Sequence, residues 1–199
     1  SLVSNGIYDA IDMSLYSGST EFYLPANIYN GYPVILILFR VLSSISLTQN
    51  DIGHLLVIVL WLNLVLSLFY TMKLLREVFG YNTLVAVLSA SVYTMSIYAV
   101  RAHGEPMYML CLSPMTWASY AALKYGQSPS LSRLFYGAIP IVLMLLGGYV
   151  PLAGVCLIFS VIIVFCGLLS ATPGKYSLPT ITKYFTTYAV GGLFSLPYL

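Results

Sequence analysis

The sequence predicts an all-α polytopic membrane protein. Of its 199 residues, 59% are hydrophobic and only 7% are charged, and the mean hydropathy is +0.89. A soluble domain carries about 25% charged residues, so this composition excludes a soluble enzyme, which would need charge to cover its surface. The chain also lacks a basic patch that could neutralise phosphates, which excludes nucleic-acid binding. Membrane lipid is the expected surrounding.

The N-terminal part, residues 1–53, is predicted to be an extracytoplasmic segment rich in Ser, Gly, Asn and Tyr. Residues 33–47 are apolar but shorter than the about 20 residues that a transmembrane helix needs, and they contain Arg40. We therefore expect an interfacial or re-entrant helix there. Asp51 is expected to cap the helix that follows.

The remainder, residues 54–199, is predicted to be a transmembrane helical module. Its apolar runs are separated by short polar or helix-breaking links, and the strongest break is Gly147-Gly148-Tyr149-Val150-Pro151, because Gly and Pro interrupt helices. The predicted spans are 54–74, 82–100, 107–124, 134–148, 151–170 and 184–199.

The basic residues indicate the orientation of these spans. Loops 73–81, 124–133 and 171–183 hold six of the eight Lys and Arg residues, and cytoplasmic loops are enriched in these residues. These three loops are therefore predicted to be cytoplasmic. The predicted extracytoplasmic parts are residues 1–53, 101–106 and 147–151.

The first candidate site is the pair Asp9 and Asp12. On a helix, residues three apart share a face, and two carboxylates there could bind a divalent cation or supply a general base. A solvated loop with two acids near a helix start is the structural alternative. The His and Cys residues of the chain do not have the spacing of metal ligands. The three cysteines all lie in apolar runs, where they are expected to be small buried hydrophobic residues.

The second candidate site combines Arg101, His103 and Glu105 in the link between two spans, with Arg40 from the N-terminal segment. Arg suits phosphate by geometry, and His transfers protons near neutral pH. An Arg in an apolar segment must pair or reach a phosphate. The structural alternative is a polar link in which both arginines extend to lipid headgroups.

Four short motifs resemble a known family. They are Gly31-Tyr32-Pro33, Leu112-Ser113-Pro114, Gly147-Gly148-Tyr149-Val150-Pro151 and the final segment Gly191-Gly192-Leu193-Phe194-Ser195-Leu196-Pro197-Tyr198-Leu199. Together with the long acidic first loop, this layout resembles the membrane module of GT-C-type glycosyltransferases, especially the YfhO-like membrane proteins. In that family a span precedes the first loop, so we expect this sequence to be a piece of a longer chain.

The resemblance implies a transferase that takes a sugar from a polyprenyl-phosphate carrier on the extracytoplasmic side. The family's catalytic acid would correspond to Asp9 or Asp12, and Arg40, Arg101, His103 and Glu105 would contact the substrate. A divalent cation is compatible with this chemistry but is not required. Two alternatives stay open: a non-catalytic membrane subunit that scaffolds other membrane subunits, and a transporter or channel with a broken helix at the Gly147–Pro151 break.

Overall fold

The computed structural model describes residues 49–102, 106–146, 150–171 and 178–195. Within these ranges the chain forms six helices and no strand, which confirms the predicted all-α fold for this part of the chain. The helices are α1 (Gln49–Glu77), α2 (Thr83–Ala102), α3 (Pro106–Gln127), α4 (Leu131–Leu145), α5 (Val150–Ala171) and α6 (Leu178–Ser195).

The helix ends differ from the sequence-based bounds by a few residues. Helix α1 already includes Gln49, so Asp51 lies within the helix and does not cap it. Helix α2 extends to Ala102, which places Arg101 in its last turn rather than in the following link. Pro151 lies in the first turn of α5, where its missing N–H leaves no helical hydrogen bond unmade.

Local side chains explain where two of the helices begin and where α1 ends. The Val85 N–H donates to Asn82 Oδ1 at 2.8 Å, and the Arg133 N–H donates to Ser130 Oγ at 3.3 Å; both are N-caps. Gly80 follows α1 with φ +71°, a left-handed conformation that glycine adopts without steric cost. These short turns make α1 and α2, and α3 and α4, neighbours in space.

Helix α3 is the centre of the bundle. It contacts each of the other five helices, and none of its side chains from 109 to 126 is exposed. It also contains Pro114, a residue that is tolerated inside a helix when neighbouring helices and hydroxyl side chains satisfy the freed backbone groups. The most enclosed helix is thus one rich in Ser, Thr, Tyr and Trp rather than the most apolar one.

Glycines permit close contact between α6 and the helices beside it. A Cβ at Gly191 would lie 2.7 Å from the Ile141 Cβ and 3.0 Å from the Ala138 carbonyl oxygen, both on α4. A Cβ at Gly137 would lie 2.6 Å from Thr187 Cγ2. Small residues let helix backbones approach closely, a feature common at helix interfaces in membranes.

The bundle has an interior lined with hydroxyl groups. Among the described residues, the buried polar side chains are Ser67, Thr71, Ser113, Thr116, Ser119, Ser160, Thr187 and Ser195, and none of the buried side chains is charged. They lie between apolar clusters such as the one around Cys111, Ile141, Met144 and Cys156.

The outward faces of the outer helices are apolar. The exposed side chains include Trp61, Val65 and Phe69 on α1, Leu84, Leu88 and Val92 on α2, Phe135 and Ile139 on α4, Ile158, Phe159 and Ile162 on α5, and Leu193 and Phe194 on α6. Among the described residues, one stretch, the 20 residues Pro151–Ser170 of α5, is long and apolar enough to cross a membrane.

Candidate functional site

The predicted site residues lie almost entirely outside the described residues. Asp9, Asp12, Arg40, His103 and Glu105 fall in the ranges that the structure does not describe. Arg101 lies in the last turn of α2, but its side chain is also outside the described part. The juxtaposition of these residues therefore stays a prediction.

The structure brings together a different set of polar residues, at the end of the bundle where α1 and α3 finish and α4 begins. We call this set the aromatic–ion cluster. It consists of Tyr70, Lys73 and Glu77 on α1, Trp117, Tyr120 and Lys124 on α3, and Arg133 and Tyr136 on α4.

Aromatic rings form the inner part of the aromatic–ion cluster. Tyr70 stacks on Trp117, with ring centroids 5.1 Å apart and planes 7° from parallel. The Tyr136 hydroxyl donates to the Tyr70 hydroxyl, and the Tyr136 ring lies edge-on to that of Tyr70. Offset stacked and edge-to-face pairs gain energy beyond their area burial, so these rings fix the relative positions of the three helices.

Ionic groups form the outer part of the cluster. Lys124 Nζ lies 2.8 Å from Glu77 Oε2, and the Tyr120 hydroxyl donates to the same oxygen at 2.8 Å. Lys73 Nζ lies 4.6 Å from the centroid of the Phe69 ring and 5.7 Å from that of Tyr120. One carboxylate thus shares this end of the bundle with several cations.

The electrostatics of Glu77 follow from this arrangement. The hydrogen bond from Lys124 holds the pKa of Glu77 below its usual value; partial burial opposes the shift, and the Tyr120 hydroxyl and Lys73 add to it. The pair therefore stabilises the fold above the pKa of an unfolded glutamate, and this contribution is lost as pH falls through the lower pKa of the folded state. The contribution is small, because both side chains are about one-third exposed and solvent screens such pairs.

The Arg133 side chain has a structural role in the same cluster. Its guanidinium donates to the Ser128 carbonyl at 3.0 Å and to the Lys124 carbonyl at 3.5 Å. These carbonyls lie at the C-terminal end of α3, where few backbone acceptors have helical partners; the Lys124 carbonyl also accepts from the Ser128 N–H at 3.2 Å. Arg133 therefore stabilises the α3–α4 turn beside the cluster. The ammonium groups of this region belong to Lys73 and Lys124.

A second polar group, the hydroxyl node, joins α3, α5 and α6. Ser119 Oγ lies 2.8 Å from Ser160 Oγ, and Ser160 Oγ lies 2.5 Å from the Tyr188 hydroxyl. Both serines are fully buried and also reach the Met115 carbonyl. Each hydroxyl therefore has a partner, as a low-dielectric interior requires, and the node holds three helices together.

The residue spacing on α1 and on α3 is the signal in the sequence that indicates the aromatic–ion cluster. Tyr70, Lys73 and Glu77 are separated by three and four residues, which places them on one helix face. The three α3 members, Trp117, Tyr120 and Lys124, repeat this spacing. From the sequence alone, the lysines indicate only the orientation of the helices, and Glu77 has no predicted partner.

Side chains that could ligate a metal ion do not cluster among the described residues. Residues 49–102, 106–146, 150–171 and 178–195 contain no set of three or more His, Cys, Asp or Glu side chains placed to hold a metal ion.

Comparisons with protein-family models, curated proteins and solved structures found no match for this chain.

Proposed function

We propose that the chain is a multi-pass integral membrane protein and that the six described helices form its membrane-embedded bundle. The observation that carries this proposal is the apolar outward surface: the outer helices expose large hydrophobic side chains on their outward faces, and the interior they enclose combines apolar clusters with buried serine and threonine side chains. Soluble monomers rarely expose contiguous apolar surface of this extent. In a membrane, lipid covers those faces, and interhelical hydrogen bonds such as those of the hydroxyl node connect the helices.

The aromatic–ion cluster supports an orientation in which its end of the bundle faces the cytoplasm. Lys73, Lys124 and Arg133 lie together there, with Glu77 as the acid among them. Positively charged residues near helix ends favour the cytoplasmic side, and tyrosine and tryptophan suit the membrane–water boundary.

Labelling of single cysteines tests this topology. In a Cys166→Ser background, which removes the exposed native thiol, we expect Ser128→Cys to react with a membrane-impermeant maleimide only after cells are permeabilised. Ser128 lies in the exposed α3–α4 turn. The matched variant Gly104→Cys, in the predicted outer link, should react in intact cells. Reaction of Ser128→Cys in intact cells, or recovery of the chain in the soluble fraction, would contradict the proposal.

We further propose that this bundle is the membrane module of a GT-C-type transferase acting on polyprenyl-phosphate-linked sugars. The support is the resemblance described above, together with the position of the helix break. Helix α4 ends at Leu145 and α5 begins at Val150, so the Gly147–Pro151 motif of the resemblance lies at the boundary between two helices, with Val150 and Pro151 in the first turn of α5. A lipid-linked donor also explains a membrane fold, because its tail needs lipid while its phosphate and sugar need a polar site.

In this proposal the chemistry belongs to the outer segment. Asp9 or Asp12 removes the proton of the acceptor hydroxyl as it attacks the anomeric carbon, and the lipid phosphate departs. Arg101 or Arg40 stabilises the charge on that phosphate, while His103 and Glu105 contact the substrate.

Substitution of the two aspartates tests the transferase proposal. We expect Asp9→Asn or Asp12→Asn, whichever residue is the base, to lower the rate of sugar transfer by about 10² to 10⁴, the usual contribution of a positioned general base. The assay uses proteoliposomes with undecaprenyl-phosphate-linked hexoses, one sugar at a time, and measures release of undecaprenyl phosphate. Glu21→Gln is the control, because Glu21 is another acid of the same segment with no assigned role.

A scaffold subunit is the second candidate. Gly154 and Gly192 have nothing within 4 Å of the position of a Cβ, so the backbone of a helix from another membrane subunit could approach closely at these points. Transfer activity that is absent with every donor would favour this candidate over the transferase. Activity that neither Asp9→Asn nor Asp12→Asn lowers would instead contradict the assignment of the general base to these two residues.

A further inference from the structure

We propose that the C-terminal half of α1 binds an anionic phospholipid. The Lys73 ammonium holds the lipid phosphate, and the acyl chains lie along the apolar face that precedes it. This inference rests on the proposed membrane location of the bundle but is independent of any transferase activity.

The apolar part of this site is a stripe on α1. Trp61, Val65 and Phe69 are four residues apart, so they lie on one side of the helix, and each is more than 40% exposed. The neighbouring Leu62 and Leu68 widen the stripe. From Trp61 to Phe69 the helix rises about 12 Å, which matches most of the length of an acyl chain in one leaflet of a bilayer whose core is about 30 Å thick.

The cation stands at the end of this stripe. Lys73 is one turn beyond Phe69, and its Nζ lies over the exposed Phe69 ring at 4.6 Å from the centroid. Ring faces attract an ammonium group but do not neutralise it. The only ion pair among the described residues joins Lys124 and Glu77, so no carboxylate of these residues pairs with Lys73.

The surrounding charges favour an anion. Glu77 is already neutralised by Lys124, and Arg76 is exposed in the last turn of α1. A phosphate beside Lys73 therefore meets a region of net positive charge. A zwitterionic lipid gains less, because its own ammonium group is repelled. The expected preference for an anionic lipid is about fivefold for each basic group near the membrane surface.

The position of Trp61 provides a direct test. The chain has two tryptophans; Trp61 is 51% exposed on the stripe, whereas Trp117 is stacked inside the aromatic–ion cluster. The full chain is reconstituted in mixtures of phosphatidylcholine and phosphatidylglycerol in which one of the two lipids carries brominated acyl chains. Quenching of the exposed tryptophan then gives the binding constant of phosphatidylglycerol relative to phosphatidylcholine at this stripe.

We expect Lys73→Gln to lower the relative binding constant of phosphatidylglycerol about fivefold compared with the unmodified protein. Lys73→Arg should keep the preference, and Lys183→Gln, which removes an exposed cation on α6, should leave it unchanged. A relative binding constant of one in the unmodified protein, or one that Lys73→Gln does not change, overturns the inference. So does full competition by millimolar glycerophosphoglycerol, because the site would then recognise the headgroup without the lipid.

The same measurement separates this inference from the membrane proposal. If neither brominated lipid quenches tryptophan fluorescence, the chain is not inserted, and the proposed membrane location fails together with the lipid site. If both lipids quench equally, the membrane location stands and only the phospholipid site is overturned.

Discussion

Replacing Ile162 by Arg should prevent α5 from inserting into the membrane. Ile162 is 49% exposed on the outward face of α5, near the middle of the apolar stretch Pro151–Ser170. An Arg at the centre of a transmembrane helix costs about 2.5–3.5 kcal/mol on insertion scales, equivalent to about a 100-fold shift in the insertion equilibrium. Protection of α5 from protease added to sealed membranes measures its inserted fraction.

The control for this prediction is Leu169→Arg. Leu169 is also exposed on α5 but lies near the end of the apolar stretch, where a long cationic side chain reaches the headgroups, so this variant should remain inserted. In a soluble bundle the result would be reversed. An Arg at the exposed position 162 would contact water and change stability by less than about 0.5 kcal/mol, and the soluble fraction would be unaffected or larger.

Replacing Gly191 by Ala should destabilise the bundle, although the same change normally stabilises a helix. The new Cβ would lie 2.7 Å from the Ile141 Cβ and 3.0 Å from the backbone oxygen of Ala138. A backbone atom cannot move aside as a flexible side chain can, so α6 must shift away from α4. Overpacking of this kind costs about 1–3 kcal/mol, which unfolding of the purified protein in a detergent titration would measure.

Gly192→Ala is the matched control for this second prediction. It changes the adjacent residue of the same helix, but nothing lies within 4 Å of its Cβ position. It should therefore raise stability by up to about 1 kcal/mol through reduced unfolded-state entropy. Equal effects of Gly191→Ala and Gly192→Ala would show that α4 and α6 are not in close contact at this point.

The positions of the helices were predictable from the sequence, because each is an apolar run bounded by a recognisable break. The Gly147–Pro151 break separates two helices, and Ser130 and Asn82 cap two others. The helix starts were less predictable. Asp51 satisfies the composition rule for an N-cap, yet α1 begins before it, because apolar runs in a membrane-like sequence continue into polar flanks without a sharp signal.

The position of α3 at the centre was not predictable. Helix α3 is no more apolar than its neighbours and carries Pro114 within it, features that a soluble protein would place toward the surface. Where the outer faces of a bundle are apolar, hydrophobicity no longer marks the interior, so ranking helices by hydropathy cannot identify the buried one.

The sequence by itself determined that the described part of the chain is helical, where its helices break, and that too few charges are available to cover a water-facing surface. The tertiary structure alone decided which helices touch, and with that the pairing of Glu77 with Lys124 and the contacts of Ser160 with Ser119 and Tyr188. The physical reason is the sequence separation of the interacting residues. Helix formation depends on neighbours a few residues away, whereas these polar pairs join distant segments and form only when helix packing brings their faces together.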